Sequence, residues 1–548
     1  MKSVMAISAV FLIMFSALAV ADSCYGDDSE DFDNYEFGTS CDFDDGTFGY
    51  KVIEGTDDVE ICELNPYYYN ELLTINPTVT HDAETYNIVS LNLSMECDRI
   101  KTVSIPQSVT RINDGCFNTL PSLISINVNV YNANFKSIYG VLYEMKNGVE
   151  HKLVKCPMNN TINPEHSGTI FDTMPSTVAE IGYTAFSATS FTTIILGDGV
   201  IKIGMNAFAS CTELEHINSS LGANTLPDSV SSIGSSAFYN CPNLRQLKLP
   251  SDLEYIGSSA FEYSGITSME IPFNVGFIGI CAFSNCPNLE RFTSNNLSYI
   301  EEDGILFVLG SNGAKSLFAY PAAKNSVKYT IPEDVTEICD SAFSGCTHLE
   351  EIVLNDRFAT IGDGAFAYCT SLRTIDIRDI VSIGVASFYG CENLTSIEFG
   401  KDLTTIGDAA FNNCGLQSVY IPANVLYIGY NVFQNCKDLT EVKISEGSKV
   451  KLMPYVFYDD TSLEKVSIGS SDVVLTEGSL TISFEEQEPF ILNVEIVKGY
   501  SIPDDAANEY TKLNISIIGE RPYPWENWIG VFFCVLVIIG ILWAVREV

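Results

Sequence analysis

The sequence predicts a solenoid of short leucine- and isoleucine-rich repeats, α/β to mostly β, that is anchored by one C-terminal transmembrane helix. Two observations carry this prediction: a phrase that recurs through the middle of the chain, and an apolar run at each end. A chain of 548 residues is too long for one ordinary core, and its 46% of hydrophobic residues argue against disorder. An elongated repeat array accounts for both the length of the chain and its hydrophobic content.

The charge balance excludes some classes of partner. The chain has 29 basic and 70 acidic residues, a formal net charge of −41, which repels nucleic acid and anionic lipid. Acidic residues concentrate early, and we assign residues 22–99 to an acidic N-terminal segment and cap. The run from Asp42 to Gly46 lacks the regular spacing and the downstream bidentate Glu of a calcium loop. We therefore expect a solvated segment and no metal site.

The first 21 residues have the pattern of a signal peptide. Lys2 precedes an apolar run from Val4 to Leu18, and small residues follow up to Ala21. We predict a signal peptide over residues 1–21 with cleavage after Ala21. An uncut signal anchor is the alternative, which the short apolar run disfavours.

Near the other end, residues 528–545 contain no charge, which is long enough to span a bilayer. Trp525, Trp528 and Trp543 lie where indole rings favour the membrane interface, and Arg546 follows. We predict a transmembrane helix over 525–545 and a cytosolic tail over 546–548, so function is expected outside the cell. A glycolipid-anchor signal and a buried core helix are the alternatives.

Internal repetition dominates the middle of the chain. One copy reads Ile406-Gly-Asp-Ala-Ala-Phe-Asn-Asn-Cys414, and a strand-like Leu416-Gln-Ser-Val-Tyr-Ile421 follows it. Most copies are 22 to 24 residues apart, counted between the phenylalanines that mark them. These are Phe117, Phe186, Phe208, Phe238, Phe261, Phe283, Phe343, Phe366, Phe388, Phe411, Phe433 and Phe457. Two longer gaps hold similar inserts, near 130–160 and 295–325, which we predict to be β-hairpins that replace a coil.

The repeat has a simple physical interpretation. In Leu-x-x-Ile-x-Ile the alternation directs apolar side chains inward and the intervening ones to solvent, as in a short strand. One coil cannot bury its own face, so coils stack and share a continuous core. We expect the strands on the concave face, and Ile-Gly-x-x-Ala-Phe turns or short helices on the convex face.

The whole phrase Ile-Gly-x-x-Ala-Phe-x-x-Cys-x-x-Leu-x-x-Ile-x-Ile-Pro, together with the Gly-Val-Leu-Tyr insert, resembles the BspA-like leucine-rich-repeat family of bacterial and trichomonad surface proteins. The resemblance covers roughly Ile100 to Ile468, and we assign residues 100–470 to leucine-rich repeats. It implies a leucine-rich-repeat solenoid on a cell surface, used in adhesion to host cells, matrix or other cells. The pattern departs at Asp460, Thr189 and Ser264, which replace the repeat cysteine.

Eight cysteines occupy one repeat position, where we predict buried, reduced thiols that pack from coil to coil. The secretory route permits disulfides among the remaining lumenal cysteines, and the first four, Cys24, Cys41, Cys62 and Cys97, could staple the N-terminal cap. Six Asn-x-Ser/Thr sequons are candidates for glycosylation. They begin at Asn92, Asn159, Asn218, Asn296, Asn393 and Asn514.

The repeat ends near residue 470. Alternating stretches at 479–484 and 490–496 predict a membrane-proximal β cap or stalk over residues 471–520. A stiff Pro522-Tyr-Pro524 link follows.

No catalytic motif is present: the sequence lacks a Gly-x-Ser-x-Gly elbow, a His-Glu-x-x-His pair and a phosphate-binding loop. We expect no catalytic residue and no cofactor, and a protein that works by contact. The exposed positions of the concave strands are then the candidate ligand-binding residues, with Tyr420 as the best aromatic anchor. They are Lys248, Glu270, Arg291, Asp376, Glu398, Tyr420, Glu441 and Lys443.

The sequence thus predicts a non-catalytic type I protein of the plasma membrane, facing outward, that binds an extracellular protein or glycan ligand. Two alternatives remain open. The array could be a structural or variable surface antigen without a specific ligand, or a ligand-binding co-receptor that signals through a partner.

Overall fold

The computed structural model describes residues 40–160, 169–310, 313–482, 490–498, 500–508 and 511–518. Every regular element in these ranges is a β-strand, so the Ile-Gly-x-x-Ala-Phe segments form turns and not short helices. Nothing in the described ranges is a helix that could cross a membrane. The predicted signal peptide (1–21), transmembrane helix (525–545) and tail (546–548) lie outside these ranges.

The described residues form two compact units. The first lies within Met1–Thr169 and Thr177–Ser190, and the second within Ile170–Ser176 and Phe191–Val548. The strands of the first unit are β1 to β12 and β14, and β13 belongs to the second unit. Their bounds are β1 (Phe43–Asp44), β2 (Phe48–Val52), β3 (Asp58–Leu64), β4 (Leu72–Thr74), β5 (Thr78–His81), β6 (Glu84–Leu91), β7 (Thr102–Ile105), β8 (Arg111–Ile112), β9 (Ser125–Val128), β10 (Phe135–Ile138), β11 (Val141–Lys146), β12 (Val149–Lys155), β13 (Ile170–Phe171) and β14 (Glu180–Ile181).

The first unit begins with a mixed sheet of order β1-β2-β3-β6-β5, to which β8 adds beside β6. A Cys41–Cys62 disulfide ties this sheet, while Cys97 is a free, buried thiol. Strands β4, β7 and β9 form a parallel ladder, and their apolar residues join the same core. Of the four cysteines considered for a staple, two are therefore paired, and Cys24 lies outside the described residues.

Each predicted hairpin insert is a meander of three antiparallel strands. In the first unit β10, β11 and β12 form it, and β12 then pairs in parallel with β14. The last strand of the meander is therefore also part of the repeat ladder. For this reason an insert can replace a coil without interrupting the core.

The second unit contains β13 and every later strand. In chain order these are β15 (Thr193–Ile195), β16 (Lys202–Ile203), β17 (His216–Asn218), β18 (Ser232–Ile233), β19 (Tyr255–Ile256), β20 (Ser268–Ile271), β21 (Phe277–Ile278), β22 (Arg291–Ser294), β23 (Tyr299–Glu302), β24 (Ile305–Leu309), β25 (Lys315–Ala319), β26 (Lys328–Thr330), β27 (Val335–Ile338), β28 (Glu351–Val353), β29 (Thr360–Ile361), β30 (Thr374–Ile375), β31 (Ser382–Ile383), β32 (Thr405–Ile406), β33 (Ser418–Ile421), β34 (Tyr427–Ile428), β35 (Glu441–Ile444), β36 (Lys451–Leu452), β37 (Lys465–Ile468), β38 (Val474–Leu475), β39 (Phe490–Ile496) and β40 (Thr511–Ile517).

Each coil of this unit contributes to two parallel ladders. The predicted Leu-x-x-Ile-x-Ile strands form the first, in pieces of order β13-β15-β17, β20-β22, β26-β28-β30 and β33-β35-β37-β39-β40. A second ladder, which was not predicted from the sequence, joins two-residue strands, most of which end on the isoleucine before the repeat glycine; β36 and β38 end on Leu452 and Leu475 instead. Its pieces are β16-β18-β19-β21 and β29-β31-β32-β34-β36-β38. The second meander, β23-β24-β25, ends on β27.

We call the Ile-Gly-x-x-Ala-Phe-x-x-Cys stretches of the second unit the turn side. Their phenylalanines are buried and stack from coil to coil: the Phe411 ring lies 5.1 Å from that of Phe388 and 5.8 Å from that of Phe433. The Phe411 amide also donates to the Val432 carbonyl at 2.9 Å. Neighbouring turns are therefore joined by rings and by backbone hydrogen bonds.

The repeat glycine has a steric cause. A Cβ built on Gly257 would lie 2.3 Å from the backbone nitrogen of Ser235 in the preceding coil, closer than real Cβ atoms approach. A coil spacing near 4.8 Å leaves no room for a side chain at this point. Glycine is therefore required at this position for neighbouring coils to stack.

The predicted cap is partly a continuation of the solenoid. Strand β39 pairs in parallel with β37, and β40 pairs in parallel with β39, so the first ladder gains two more coils. The strand expected from residue 479 does not form over Ser479–Ile482, which lies in a turn and a loop. There Leu480 is buried at the position that phenylalanine holds elsewhere, and alternation alone could not distinguish such a turn from a strand.

Candidate binding surface

We call the outward side of the first ladder in the second unit the strand face. Along β33 the side chains of Ser418 and Tyr420 are exposed while Val419 and Ile421 are buried. Successive residues of a strand point to opposite sides, so one side builds the core and the other is free to vary. Tyr420 is 51% exposed, so its ring is accessible to a ligand.

All eight predicted ligand-binding residues are exposed, but they do not form one site. The structure divides them into an early group on or near β20 and β22, a middle pair at a break in the ladder, and a late group on β33 and β35. In that order they are Lys248, Glu270 and Arg291, then Asp376 and Glu398, then Tyr420, Glu441 and Lys443.

In the late group, strand register brings two predicted residues together. Tyr420 is the register partner of Lys443, and Glu441 is the partner of Ser418. Lys443 has no ion-pair partner among the described residues, so its ammonium group is available beside the exposed ring. An aromatic ring next to a free cation offers both contact area and charge to a ligand.

The same sheet adds residues that the sequence analysis missed. Lys465 lies between two acidic neighbours, with its Nζ 2.9 Å from a Glu495 oxygen and 3.5 Å from a Glu441 oxygen. Its pKa is raised, mainly because it donates to Glu495. The alternation of residues 465–468 could have revealed Lys465. Glu495 follows a longer coil without the phenylalanine and cysteine markers, so the repeat pattern gave no signal for it.

The middle pair lies in a groove. The cavity has a volume of about 560 Å³ and is lined by parts of three successive coils: residues 351–356 and 358, residues 374–376 and 378–380, and residues 396–398. Asp376 and Glu398 both line it. The Arg378 guanidinium donates to Asp376 at 2.9 Å and holds the pKa of that carboxyl down to about 2. Asp376 is thus already paired within the groove.

The repeat cysteines are free and buried, which confirms their predicted packing role. Six of them donate the thiol to a phenylalanine carbonyl of the preceding coil, as Cys414 does to Phe388 at 3.0 Å, and Cys346 donates to the Tyr320 carbonyl. Burial raises the pKa of the Cys286 thiol to about 12, so the reactive thiolate is disfavoured there. No three His, Cys, Asp or Glu side chains within the described ranges converge to hold a metal ion.

The six glycosylation candidates differ in exposure. Asn159, Asn393 and Asn514 are exposed, and Asn92 and Asn218 are half-buried. Asn296 is buried, and its side-chain amide donates to the carbonyls of Pro272, Phe273 and Val275. A glycan on Asn296 would have to displace these three hydrogen bonds.

Comparison with known proteins agrees with the repeat. A family model described as BspA type leucine rich repeat region matches in six copies, within residues 83–150, 171–225, 217–305, 315–440 and 377–481. No curated protein sequence matches the chain.

Three bacterial proteins are among the solved structures that match the chain. A leucine rich cell surface protein from Faecalibacterium prausnitzii is 22% identical, with 87% of this chain and 95% of that chain covered and a TM-score of 0.38. The pneumococcal vaccine antigen PcpA is 17% identical, with 86% and 96% covered and a TM-score of 0.39. A leucine-rich repeat protein from Eubacterium ventriosum is 20% identical, with 70% and 95% covered and a TM-score of 0.46.

Proposed function

Because the chain belongs to the BspA-type leucine-rich repeat family, we propose that it is a non-catalytic surface protein whose strand face binds a protein or glycan ligand on another cell or in matrix. The observation that carries this proposal is the pairing of Tyr420 and Lys443 on neighbouring strands. Both side chains are exposed, and both belong to strands whose alternate residues are buried in the core.

Rigidity supports the same function. The strands that hold the two side chains belong to a ladder of five, and the hydrophobic core beneath them is continuous from Ile305 to Ala506. Side chains on such a scaffold lose little conformational entropy when a ligand binds. A tyrosine ring beside a cation suits a protein surface or the apolar face of a sugar.

The proposal includes the topology that the end segments predict. The apolar run that precedes Ala21 would send the chain into the secretory pathway, and residues 525–545 would hold it in the plasma membrane with the repeats outside. Labelling of intact cells with a reagent that cannot cross membranes tests this topology, because the exposed repeat lysines react only if they face outward.

Adhesion is tested with the full-length chain expressed on cells that do not otherwise adhere. The variant Tyr420→Ala/Lys443→Gln is expected to lower attachment to host cells or matrix at least tenfold, at equal surface amount. The matched control is Tyr430→Ala/Lys449→Gln, which removes an exposed tyrosine and an exposed lysine outside the strand face and should attach as the parent does.

The outcomes separate the alternatives. If the parent chain gives no attachment above that of untransfected cells, adhesion is excluded and a surface antigen without a ligand becomes the better description. If the parent attaches and both double variants attach equally well, the ligand binds elsewhere than at Tyr420 and Lys443.

A further inference from the structure

One carboxyl group occupies the repeat cysteine position of the second unit. Asp460 lies three residues after Phe457, where the other coils have a thiol, and the one further substitute in this unit is Ser264. A thiol and a hydroxyl each have a proton to donate, whereas an aspartate has one only in its acid form. Six of the thiols donate to the phenylalanine carbonyl of the preceding coil: Cys241, Cys286, Cys369, Cys391, Cys414 and Cys436.

The two carboxyl oxygens of Asp460 have different surroundings. The whole residue is buried, and its Oδ1 accepts the backbone N–H of Cys436 at 2.7 Å. Its Oδ2 is buried as well and has no hydrogen-bond partner among the described residues. A buried polar atom without a partner is destabilising, and more so when it carries charge. A proton on Oδ2 would remove the charge and provide a donor.

The order of the coils identifies the acceptor for that proton. Each of the six thiols reaches the phenylalanine one coil back, and for Asp460 that residue is Phe433. The Phe433 carbonyl accepts the Cys436 N–H at 3.2 Å, and no thiol within the described ranges donates to it. A carbonyl can accept two hydrogen bonds, as the Phe388 carbonyl does from an amide and a thiol.

The charges around Asp460 do not favour its ionised form. Lys437 pairs with Asp459 at 2.6 Å, and Asp460 forms no ion pair in the part of the chain that the structure describes. The Cys436 thiol lies in the preceding coil, and residues 479–482 of the following coil contain no ionisable side chain. Burial raises the pKa of Asp460 well above its ordinary value, Asp459 adds to this shift, and the Cys436 N–H and Lys437 oppose it.

We propose that Asp460 is a protonated acid in the folded protein, that its Oδ2–H donates to the Phe433 carbonyl, and that loss of this proton loosens the junction between the two coils. Once the carboxyl is ionised, Oδ2 has no proton to donate, and a negative oxygen faces a carbonyl oxygen. The fold thus contains one pH-sensitive junction in a row of junctions that thiols close. This inference does not rest on the proposed function.

The direction of the pH effect follows from linkage. The folded state holds the Asp460 proton more tightly than the unfolded state, whose carboxyl has an ordinary pKa of 3.8. The stabilising effect is therefore complete below pH 3.8 and is lost as the pH rises toward the raised pKa of the folded state. We expect a tight junction in mild acid and a looser one in alkaline solution.

Hydrogen exchange of the full-length protein in detergent tests the junction. The amides of Phe433 and Asn435 are the reporters, because they donate across it to Val456 at 2.9 Å and to Tyr458 at 2.8 Å. The parent is compared with Asp460→Asn at each pH from 5 to 9, so that the intrinsic pH dependence of exchange cancels.

The asparagine variant keeps the junction closed at every pH, since its amide nitrogen can donate to Phe433 while its oxygen accepts from Cys436. Both reporters should exchange equally in parent and variant at pH 5, and about tenfold faster in the parent at pH 9. The Phe366 amide is the internal control, because it donates to Ser387 across a junction that a thiol closes. It should exchange equally in both proteins.

Two further variants locate the effect. Asp460→Cys restores the repeat residue and should behave as Asp460→Asn does. Asp472→Asn removes an exposed carboxyl that follows β37 and should keep the pH dependence of the parent. If Asp472→Asn abolishes that dependence as fully as Asp460→Asn, the effect belongs to the overall charge and the proposal is wrong.

Infrared difference spectra of the parent and Asp460→Asn at pH 6 detect the proton itself, because a protonated carboxyl has a carbonyl stretch that a carboxylate lacks. We expect this band in the parent. Its absence would overturn the proposal, and so would equal exchange of the two proteins from pH 5 to pH 9. Neither measurement involves a ligand, so failure here leaves the adhesion assay to decide the proposed function separately.

Discussion

The turn side and the strand face of the same coils differ in what their residues do. On the turn side the side chains are nearly the same from coil to coil, because a ring such as Phe411 stacks on the ring of the preceding coil, a thiol such as that of Cys414 donates to the backbone of that coil, and a glycine such as Gly257 lies against it. On the strand face the outward side chains contact solvent and differ from coil to coil. We infer that most of the stacking stability lies in the turns, which leaves the outward side chains of the strand face free to vary.

The largest expected effect tests this division directly. Phe411→Ala removes a fully buried ring that stacks between two others, and should lower the free energy of unfolding by about 4 kcal/mol. Tyr420→Ala removes an exposed ring from the same coil and should cost about 0.5 kcal/mol or less. Urea unfolding followed by circular dichroism measures both. Similar losses for the two variants would show that stability is not concentrated in the turns.

A second test uses a buried carboxyl on the turn side. Burial raises the pKa of Glu262 to about 7, while its hydrogen bonds to Ser259 and Asn285 oppose the shift. The folded state therefore holds this proton more tightly than the unfolded state, whose carboxyl has an ordinary pKa of 4.5. Its stabilising effect is complete below pH 4.5 and is lost as the pH rises to about 7.

We expect Glu262→Gln to remove that loss and to be more stable than the parent at pH 8, by up to about 3 kcal/mol. At pH 4 the two proteins should differ little. Glu254→Gln, at an exposed position of the same coil, is the control and should leave the pH profile unchanged. Thermal unfolding at several pH values measures the difference, and identical profiles for parent and Glu262→Gln would mean that this carboxyl titrates normally.

The turn side of the fold was more predictable from the sequence than the pairing of its strands. Turn residues such as Phe411 and Cys414 recur because the stacking geometry demands them, so periodicity revealed the coils and their buried thiols. The second ladder stayed hidden because its strands, such as Thr405–Ile406, are two residues long and too short to show alternation. The two inserts were predicted as hairpins, but each is a meander of three strands. Their third strand, such as Lys315–Ala319, also pairs with the ladder, so it could not be told apart from a repeat strand.

The candidate site was less predictable. Alternation in Leu-x-x-Ile-x-Ile correctly placed Tyr420 and Lys443 on the surface, because the phase of a strand is a local property. The groove depends on a ladder that fails between Thr374 and Ser418, although Leu394-Thr-Ser-Ile-Glu-Phe399 fits the repeat as well as its neighbours do. Hydrogen bonding between coils is a property of two segments at once, and no single segment shows whether it will form.

The smallest expected effect concerns backbone strain within the turns. Residues two before and two after the repeat phenylalanine have positive φ in coil after coil, and many of them are not glycine. Ala386 has φ of 51° and is half-buried, so Ala386→Gly should relieve strain and raise the free energy of unfolding by about 0.5 kcal/mol. Ala410 precedes Phe411, has no positive φ and is fully buried. Ala410→Gly should therefore lower the free energy of unfolding by about 1 kcal/mol. Urea denaturation midpoints measure both effects. A higher midpoint for Ala386→Gly and a lower one for Ala410→Gly would show that the left-handed turn residues are strained. Lower midpoints for both variants would show that loss of methyl packing outweighs the relief of strain.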